Sequence, residues 1–273
     1  MLESQGEEDT QAVAQPLSVE QAIANLKSED VSLRYYAAWW LGRFRVNQPA
    51  AIEALIAALS DEDYRTELGD YPLRRNAARA LGKLGDRQAV PELIRSLDGS
   101  DFYVREAAAQ SLEMLGDLSA IPALIELLAG GVAAAIQVPG RPHLTQPYDS
   151  VIEALGTLGA LEAVDLIEPF IEHPIPKVKY AALRAMYQLT GDDAYGQRLM
   201  AGLSNNDLKV RRLVLADLGA IGYLPSSEAI AHCAVENSFK LLALKGLLEH
   251  HVQPELELSD AAIKIMNLMD GLL

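Results

Sequence analysis

The sequence predicts an all-α chain folded as a right-handed α-α solenoid of about seven stacked helical pairs. Three observations predict it. A basic residue followed by small or apolar residues at +3, +4 and +7 recurs along the chain. The recurrence has a period of about 31 residues where nothing is inserted. A second kind of amphipathic segment alternates with the first, so each unit is a pair of unlike helices.

The repeated helix, designated B, reads Arg34-Ala37-Ala38-Leu41, then Arg74-Ala77-Ala78-Leu81, then Arg105-Ala108-Ala109-Leu112. It continues as Lys179-Ala182-Leu183-Met186 and Arg211-Val214-Leu215-Leu218, with weaker copies starting at Tyr148 and Lys240. Offsets of three, four and seven residues share one helical face, so each copy has a single apolar stripe. The alternating helix, A, reads AAIEALIAALS (50–60), AVPELIRSLDG (89–99), AIPALIELLAG (120–130) and EAVDLIEPFIEH (162–173). Pro91 and Pro122 fall in the first turn, where a missing N–H costs nothing. Units of this kind are HEAT-like repeats, in which each pair contacts only its neighbours.

The ends and interruptions follow from the same pattern. Residues 1–17 are polar and acidic and predict a flexible tail; the solenoid occupies 18–273, with Ser18 and Gln21 spaced as a capping box. The closing segment SDAAIKIMNLMDGLL (259–273) predicts a final amphipathic helix that caps the stack. Asp30, Asp70, Asp101 and Asp207 stand four residues before their basic residue and are expected to cap B helices, with the basic residue pairing to the next repeat. Gly82-Lys83-Leu84-Gly85 and Gly156-Thr157-Leu158-Gly159 read as C-terminal stops. Insertions at 61–72 and 130–147 fall between helices A and B, two repeats apart. Equivalent positions in a solenoid share an edge, so the insertions predict two walls at one rim of the groove.

Composition narrows the function. A formal net charge of −15 disfavours nucleic acid and anionic membranes as partners. The first residues lack the apolar core of an export signal, and no stretch reaches the roughly 18 apolar residues of a membrane span. A cytoplasmic protein is expected. One cysteine, Cys233, rules out an internal disulfide and a multi-cysteine metal site. Its neighbour His232 points about 100° away on a helix, so the two make no catalytic dyad, and Cys233 is expected to be packed. His250 and His251, with no third ligand, are expected to be solvated. No nucleophile elbow, phosphate loop or zinc-protease motif occurs.

Chemistry is therefore expected on the outer face of the B helices, at offsets +1 and +5. There the sequence places Tyr35 and Trp39, Arg75 and Arg79, Glu106 and Gln110, Asp149 and Glu153, then Tyr180 and Arg184. Aromatic rings offer flat apolar contact, and arginines grip carboxylates with a two-pronged fork. Such a surface suits a flat conjugated ligand bearing carboxylates. The same residues also suit packing of Tyr35, Tyr36, Trp39 and Trp40 against the first helix or a partner protein.

The B-helix pattern, the PELIRSL and PALIELL segments, and above all LRYYAAWWLGRFR (33–45) resemble the heterodimeric E/F-type phycobilin lyases of cyanobacteria and red algae. The insertion and helix GRPHLTQPYDSVIEALGTLGA (140–160) resemble the E subunit in particular. The resemblance implies an enzyme active only with an F-type partner subunit. It implies phycocyanobilin as substrate, with no tightly bound cofactor and no metal, and a cysteine of the phycocyanin α subunit as acceptor of a thioether bond. The attacking thiol then belongs to the acceptor protein. On this reading Asp149 and Glu153 are the catalytic candidates, stabilising a protonated bilin. Tyr35, Trp39, Arg75, Arg79 and Tyr148 are the bilin-binding candidates. A non-enzymatic HEAT-repeat scaffold, a bilin chaperone or phycobilisome-degradation adaptor, and a sister lyase acting on phycoerythrocyanin remain open as alternatives.

Overall fold

The residues at offsets +3, +4 and +7 are the ones withdrawn from solvent. Ala37, Ala38 and Leu41, Ala77, Ala78 and Leu81, and Ala108, Ala109 and Leu112 are all 0% exposed. Each buried leucine contributes about 1.5–3 kcal/mol, and the alanines let neighbouring helices approach closely. In the computed structural model, which describes residues 17–252 and 258–273, this stripe organises the whole chain. The tail expectation therefore lies outside the described residues, apart from Leu17, which packs against the core.

The chain order is α1 (Val19–Asn25), α2 (Val31–Arg43), α3 (Pro49–Ala58), α4 (Pro72–Leu84), α5 (Val90–Ser96), α6 (Phe102–Leu115), α7 (Ile121–Glu126) and α8 (Gly131–Ala134). It continues with α9 (Tyr148–Thr157), α10 (Val164–Ile167), α11 (Pro176–Thr190), α12 (Asp193–Ala201), α13 (Leu208–Ala220), α14 (Ser227–His232), α15 (Asn237–His251) and α16 (Asp260–Asp270). The seven B helices α2, α4, α6, α9, α11, α13 and α15 form one layer, each packed on the next. The A helices α1, α3, α5, α7, α10, α12 and α14 back onto their own B helices. Helix α16 packs on α14 and α15 and closes the stack as predicted. The fourth predicted A helix, 162–173, is broken into short turns: only Val164–Ile167 is α-helical, flanked by 3-10 turns at Leu161–Ala163 and Glu168–Glu172. Pro169 lies in the second of these and has no N–H to continue an α-helical ladder.

Start signals behave largely as the spacing predicts. Ser18 and Gln21 make the reciprocal capping box. Asp30, Asp101 and Asp207 cap α2, α6 and α13. Asp70 does not: the N-cap of α4 is Tyr71, and no side chain caps that helix. The basic residues are ties between loops. Arg105 donates to the carbonyl of Gly99 at 2.6 Å and Arg211 to that of Asn205 at 2.6 Å, each six residues back. Both also reach the next repeat, at the carbonyls of Thr145 and Ala234. Among the described residues only Arg34, which meets Asp61 at 2.7 Å and Asp63 at 3.2 Å, forms the expected ion pair to the adjacent repeat in this register.

The Gly-x-x-Gly runs divide their labour. Gly85 and Gly159 have φ of +77° and +73° and end the helices as stops. Gly82 and Gly156 are instead spacers between B helices. A Cβ on Gly82 would stand 2.8 Å from the Cα of Ser111, and one on Gly156 2.7 Å from the Cα of Ala185.

Among the described residues no helix is long and apolar enough to cross a membrane, and no cluster of three metal-ligating side chains occurs. Cys233 is buried, its Sγ donating to the Leu203 carbonyl. His251, half-buried, reaches the Gly222 carbonyl at 3.0 Å, so it is held rather than simply solvated.

Candidate functional site

The two insertions meet. Arg141 of the second turns its Nη1 to both carboxylate oxygens of Asp70 in the first, at 3.3 and 3.4 Å, and its Nη2 donates to the Leu68 carbonyl. This contact explains the missing cap on α4: the aspartate at the capping position is used to hold the other insertion. Arg105 of α6 holds the second insertion from another side by donating to the Thr145 carbonyl at 3.0 Å. The second insertion doubles back on itself, with Gln137 bridged to Leu144 and Val138 donating to His143 at 3.0 Å. That turn lays the His143 ring over Phe102, with centroids 4.1 Å apart and planes 10° apart, and sets it edge-on to Tyr103.

Beside this aromatic group opens a cleft of about 300 Å³, the lower end of the range for small-molecule sites. Phe102, Tyr103 and His143 line it, together with Ile175 and Val178 from the start of α11. Glu106, Asp149 and Lys177 supply the charge. Lys177 lies in the first turn of α11, where it contacts the carboxylate of Asp149 and lies 3.5 Å from Glu106. Arg79 approaches the other side of Glu106 at 3.7 Å. Burial lowers the Lys177 pKa, but Asp149 and then Glu106 outweigh it and hold the ammonium above its ordinary value. The cleft thus pairs flat apolar walls with an alternating row of cations and carboxylates.

One helical turn beyond Asp149, Glu153 joins a second charged cluster. Arg184 contacts Glu113 at 2.8 Å, Asp217 at 3.7 Å and Glu153 at 3.8 Å, so one guanidinium faces three carboxylates. Thr157 donates to Glu113 at 2.7 Å. Burial, reinforced by the charge of Asp217, pushes the Glu153 carboxyl up to about 8 despite Arg184. Burial pushes Asp217 up to about 7, again against Arg184.

Of the predicted residues, the structure brings Glu153 into the neighbouring cluster around Arg184, and Arg79 and Asp149 into the charged row of the cleft. Arg75 stands next to it, its guanidinium 5.7 Å from the centre of the Tyr103 ring. Tyr35 and Trp39 are exposed as expected, at 37% and 43%, but sit on α2 and do not line the cleft. Trp39 lies with Tyr36, centroids 5.5 Å apart, in an exposed aromatic ridge. Tyr148 is a correction: it does not face the groove. It is 1% exposed, its ring lies against Phe170, and its hydroxyl is 3.4 Å from that of Thr145. It occupies the offset that elsewhere carries the loop-tying arginine, and its apolar ring is drawn into the core instead. Tyr180 is buried too, close against Gly202 and Val214. Phe102, Tyr103, His143 and Lys177 are the residues sequence reasoning missed. Lys177 and Phe102 lie two and three residues before the basic position of their helices, outside the +1 and +5 offsets.

Fold and site together define a helical-repeat protein whose B-helix layer carries a small, charged, aromatic-lined cleft. Family models described as PBS lyase HEAT-like repeat and HEAT repeats match residues 33–61 and 66–137. The chain is 63% identical over 276 residues to the phycocyanobilin lyase subunit alpha of a Nostoc species, covering 100% of both chains. It is 57% identical to the protein of that name from Synechocystis, covering 94% of this chain and 96% of the relative. The bilin biosynthesis protein PecE of Nostoc is 42% identical over 94% of this chain and 96% of its own length. A solved structure of the complex of CpcE and CpcF of phycocyanin lyase from Nostoc matches with a TM-score of 0.90 at 63% identity, covering 99% of this chain and 100% of that one. The chain belongs to the family of phycocyanobilin lyase alpha subunits.

Proposed function

We propose that the chain is the alpha-type subunit of a heterodimeric bilin lyase that binds phycocyanobilin and joins it through a thioether to a cysteine of the phycocyanin α subunit. The observation that carries this reading is the full-length, 63% likeness to a phycocyanobilin lyase subunit alpha, together with the likeness to a chain solved in complex with a second subunit. The higher identity to that subunit than to PecE, 42%, favours phycocyanin over the sister substrate.

The geometry supports a division of labour. The conjugated plane of the bilin lies along Phe102, Tyr103 and His143. Asp149 faces its pyrrole nitrogens, where a carboxylate stabilises the protonated bilin and makes ring A more electrophilic. Arg75, Arg79 and Lys177 supply cations for a propionate. Glu153, with a carboxyl still largely protonated at neutral pH, holds a proton one turn from Asp149. The acceptor thiol adds across the ring A double bond, its sulfur bonding to the exocyclic carbon and a proton going to the ring carbon. The lyase contributes orientation and fidelity. The exposed ridge of Tyr35, Tyr36 and Trp39 is ground for the F-type partner.

The test is to incubate the chain with phycocyanobilin and apo-phycocyanin α, with and without the F-type subunit. Ligation gives a covalent, zinc-fluorescent band only when both subunits are present. No covalent product in any combination would return the protein to the scaffold reading.

A further inference from the structure

A second cavity, of about 380 Å³, lies against the cleft and shares the Phe102–His143 stack with it. Both insertions build it, and three arginines line it: Arg65, Arg105 and Arg141. Its carboxylates are already engaged. Asp70 is paired with Arg141. Asp101 accepts the backbone N–H groups of Tyr103 and Val104 on one oxygen and that of Tyr71 on the other.

The remaining two guanidiniums contact no carboxylate among the described residues. Arg65 donates to the Gly69 carbonyl at 3.3 Å and lies over the Tyr71 ring. Arg105 is only 9% exposed; it donates to two carbonyls, and its Nε is buried with no partner among the described residues. Burial lowers its pKa, and Asp101 only partly offsets this. A buried cation with an orphan donor is costly unless an anion completes it. In a chain of net charge −15, a pocket with surplus positive charge is not a by-product of composition. Its construction also sacrifices a helix cap, because Asp70 holds Arg141 rather than α4.

We propose that this arginine cavity is a carboxylate-binding site, and that it seats a carboxylate arm of the tetrapyrrole whose body lies in the adjoining cleft, the arm passing the Phe102–His143 stack. Arg65 and the Nε of Arg105 are its donors, and Arg141, fixed by Asp70, is its far wall. The proposal rests on the cleft being the bilin seat.

The experiment titrates phycocyanobilin and its dimethyl ester against the complex of the chain with its partner subunit, read by visible absorbance. Wild type, Arg65→Gln, Arg65→Lys and Arg105→Lys are compared. Wild type binds the free acid more tightly than the ester. Arg65→Gln weakens the free acid by about tenfold, the scale of one charge-assisted hydrogen bond, while ester affinity is unchanged and reports an intact fold. Arg65→Lys restores part of the loss. Arg105→Lys, which keeps the charge but removes Nε, also weakens only the acid. Equal wild-type affinity for acid and ester overturns the site together with the propionate role of Arg75, Arg79 and Lys177. An unchanged acid affinity in both Arg65→Gln and Arg105→Lys, or equal weakening of both ligands, overturns the site and leaves the cleft reading standing. Failure of wild type to bind either ligand overturns both.

Discussion

Arg141 and Asp70, 71 residues apart in sequence, form the ion pair that joins the two insertions of the solenoid. Each side chain is about a quarter exposed, so the pair itself is worth little, about 0.5–1 kcal/mol. Its effect is local. We expect a double-mutant cycle of Asp70→Asn and Arg141→Gln to give a coupling of that size in urea unfolding. Limited proteolysis within 130–147 is expected to accelerate in either variant. Additive effects with unchanged cleavage would mean that the insertions are held by other contacts.

The contrast between this pair and the rest of the fold shows what a linear sequence discloses. The B-helix stripe was legible because one face repeats at fixed offsets and burial of that face decides the packing; Leu41, Leu81 and Leu112 are all fully buried. Asp30, Asp101 and Asp207 were legible because a cap acts within three residues of itself. Asp70 has the same spacing but a different partner, chosen by a loop 71 residues away that no periodicity describes. The groove row was half legible. Glu106, Asp149 and Glu153 follow from helical geometry, whereas Lys177 enters from the start of α11 and His143 from an irregular turn. Tyr148 failed because its position in the repeat was read correctly but the pull of the core on an aromatic ring was not weighed.

Glu153 and Asp217 set a pH dependence. Their carboxyls titrate at about 8 and about 7 in the folded chain, above the ordinary 4.5 and 3.8. The folded state therefore binds more protons than the unfolded state between those limits, and stability falls as pH rises through the window. The fall is expected from about pH 4 to about pH 8. Asp217→Asn and Glu153→Gln are expected to flatten the curve and to raise the urea midpoint at pH 8 while changing little at pH 5. A midpoint rising between pH 5 and pH 8 would contradict the assignment of these protons.

Lys177 neutralises Asp149, which is only 6% exposed. Lys177→Met leaves that carboxylate buried beside Glu106 with no cation, a loss of about 2–3 kcal/mol. Lys177→Met with Asp149→Asn is expected to recover most of it, because the pair is replaced as a unit. Bilin affinity of the heterodimer is expected to drop at least tenfold in the single variant and not to recover in the double, since the double lacks the carboxylate proposed to face the pyrroles. Full recovery of binding in the double variant would remove Asp149 from the site.

Gly82 connects packing to the cleft. It lies inside α4, where alanine would be favoured over glycine by about 1 kcal/mol on helix propensity alone. Yet a Cβ there would stand 2.6 Å from Ser111 Oγ and 2.8 Å from its Cα, and the serine is fixed by its bond to the Ala78 carbonyl at 2.8 Å. Backbone cannot yield as a side-chain tip can, so α4 and α6 must separate. Gly82→Ala is therefore expected to destabilise the chain by about 1–3 kcal/mol. Because α4 carries Arg75 and Arg79 and α6 carries Tyr103 and Glu106, the same separation lengthens the Arg79–Glu106 contact and weakens bilin binding. Gly85→Ala, three residues on with open space around it, strains only its own backbone at φ +77°. It is expected to lower stability by about 1 kcal/mol and to leave bilin affinity unchanged. Parallel urea and absorbance titrations of the two variants separate the effects: a stability loss without an affinity loss in Gly82→Ala would show that the cleft does not depend on the spacing of these two helices.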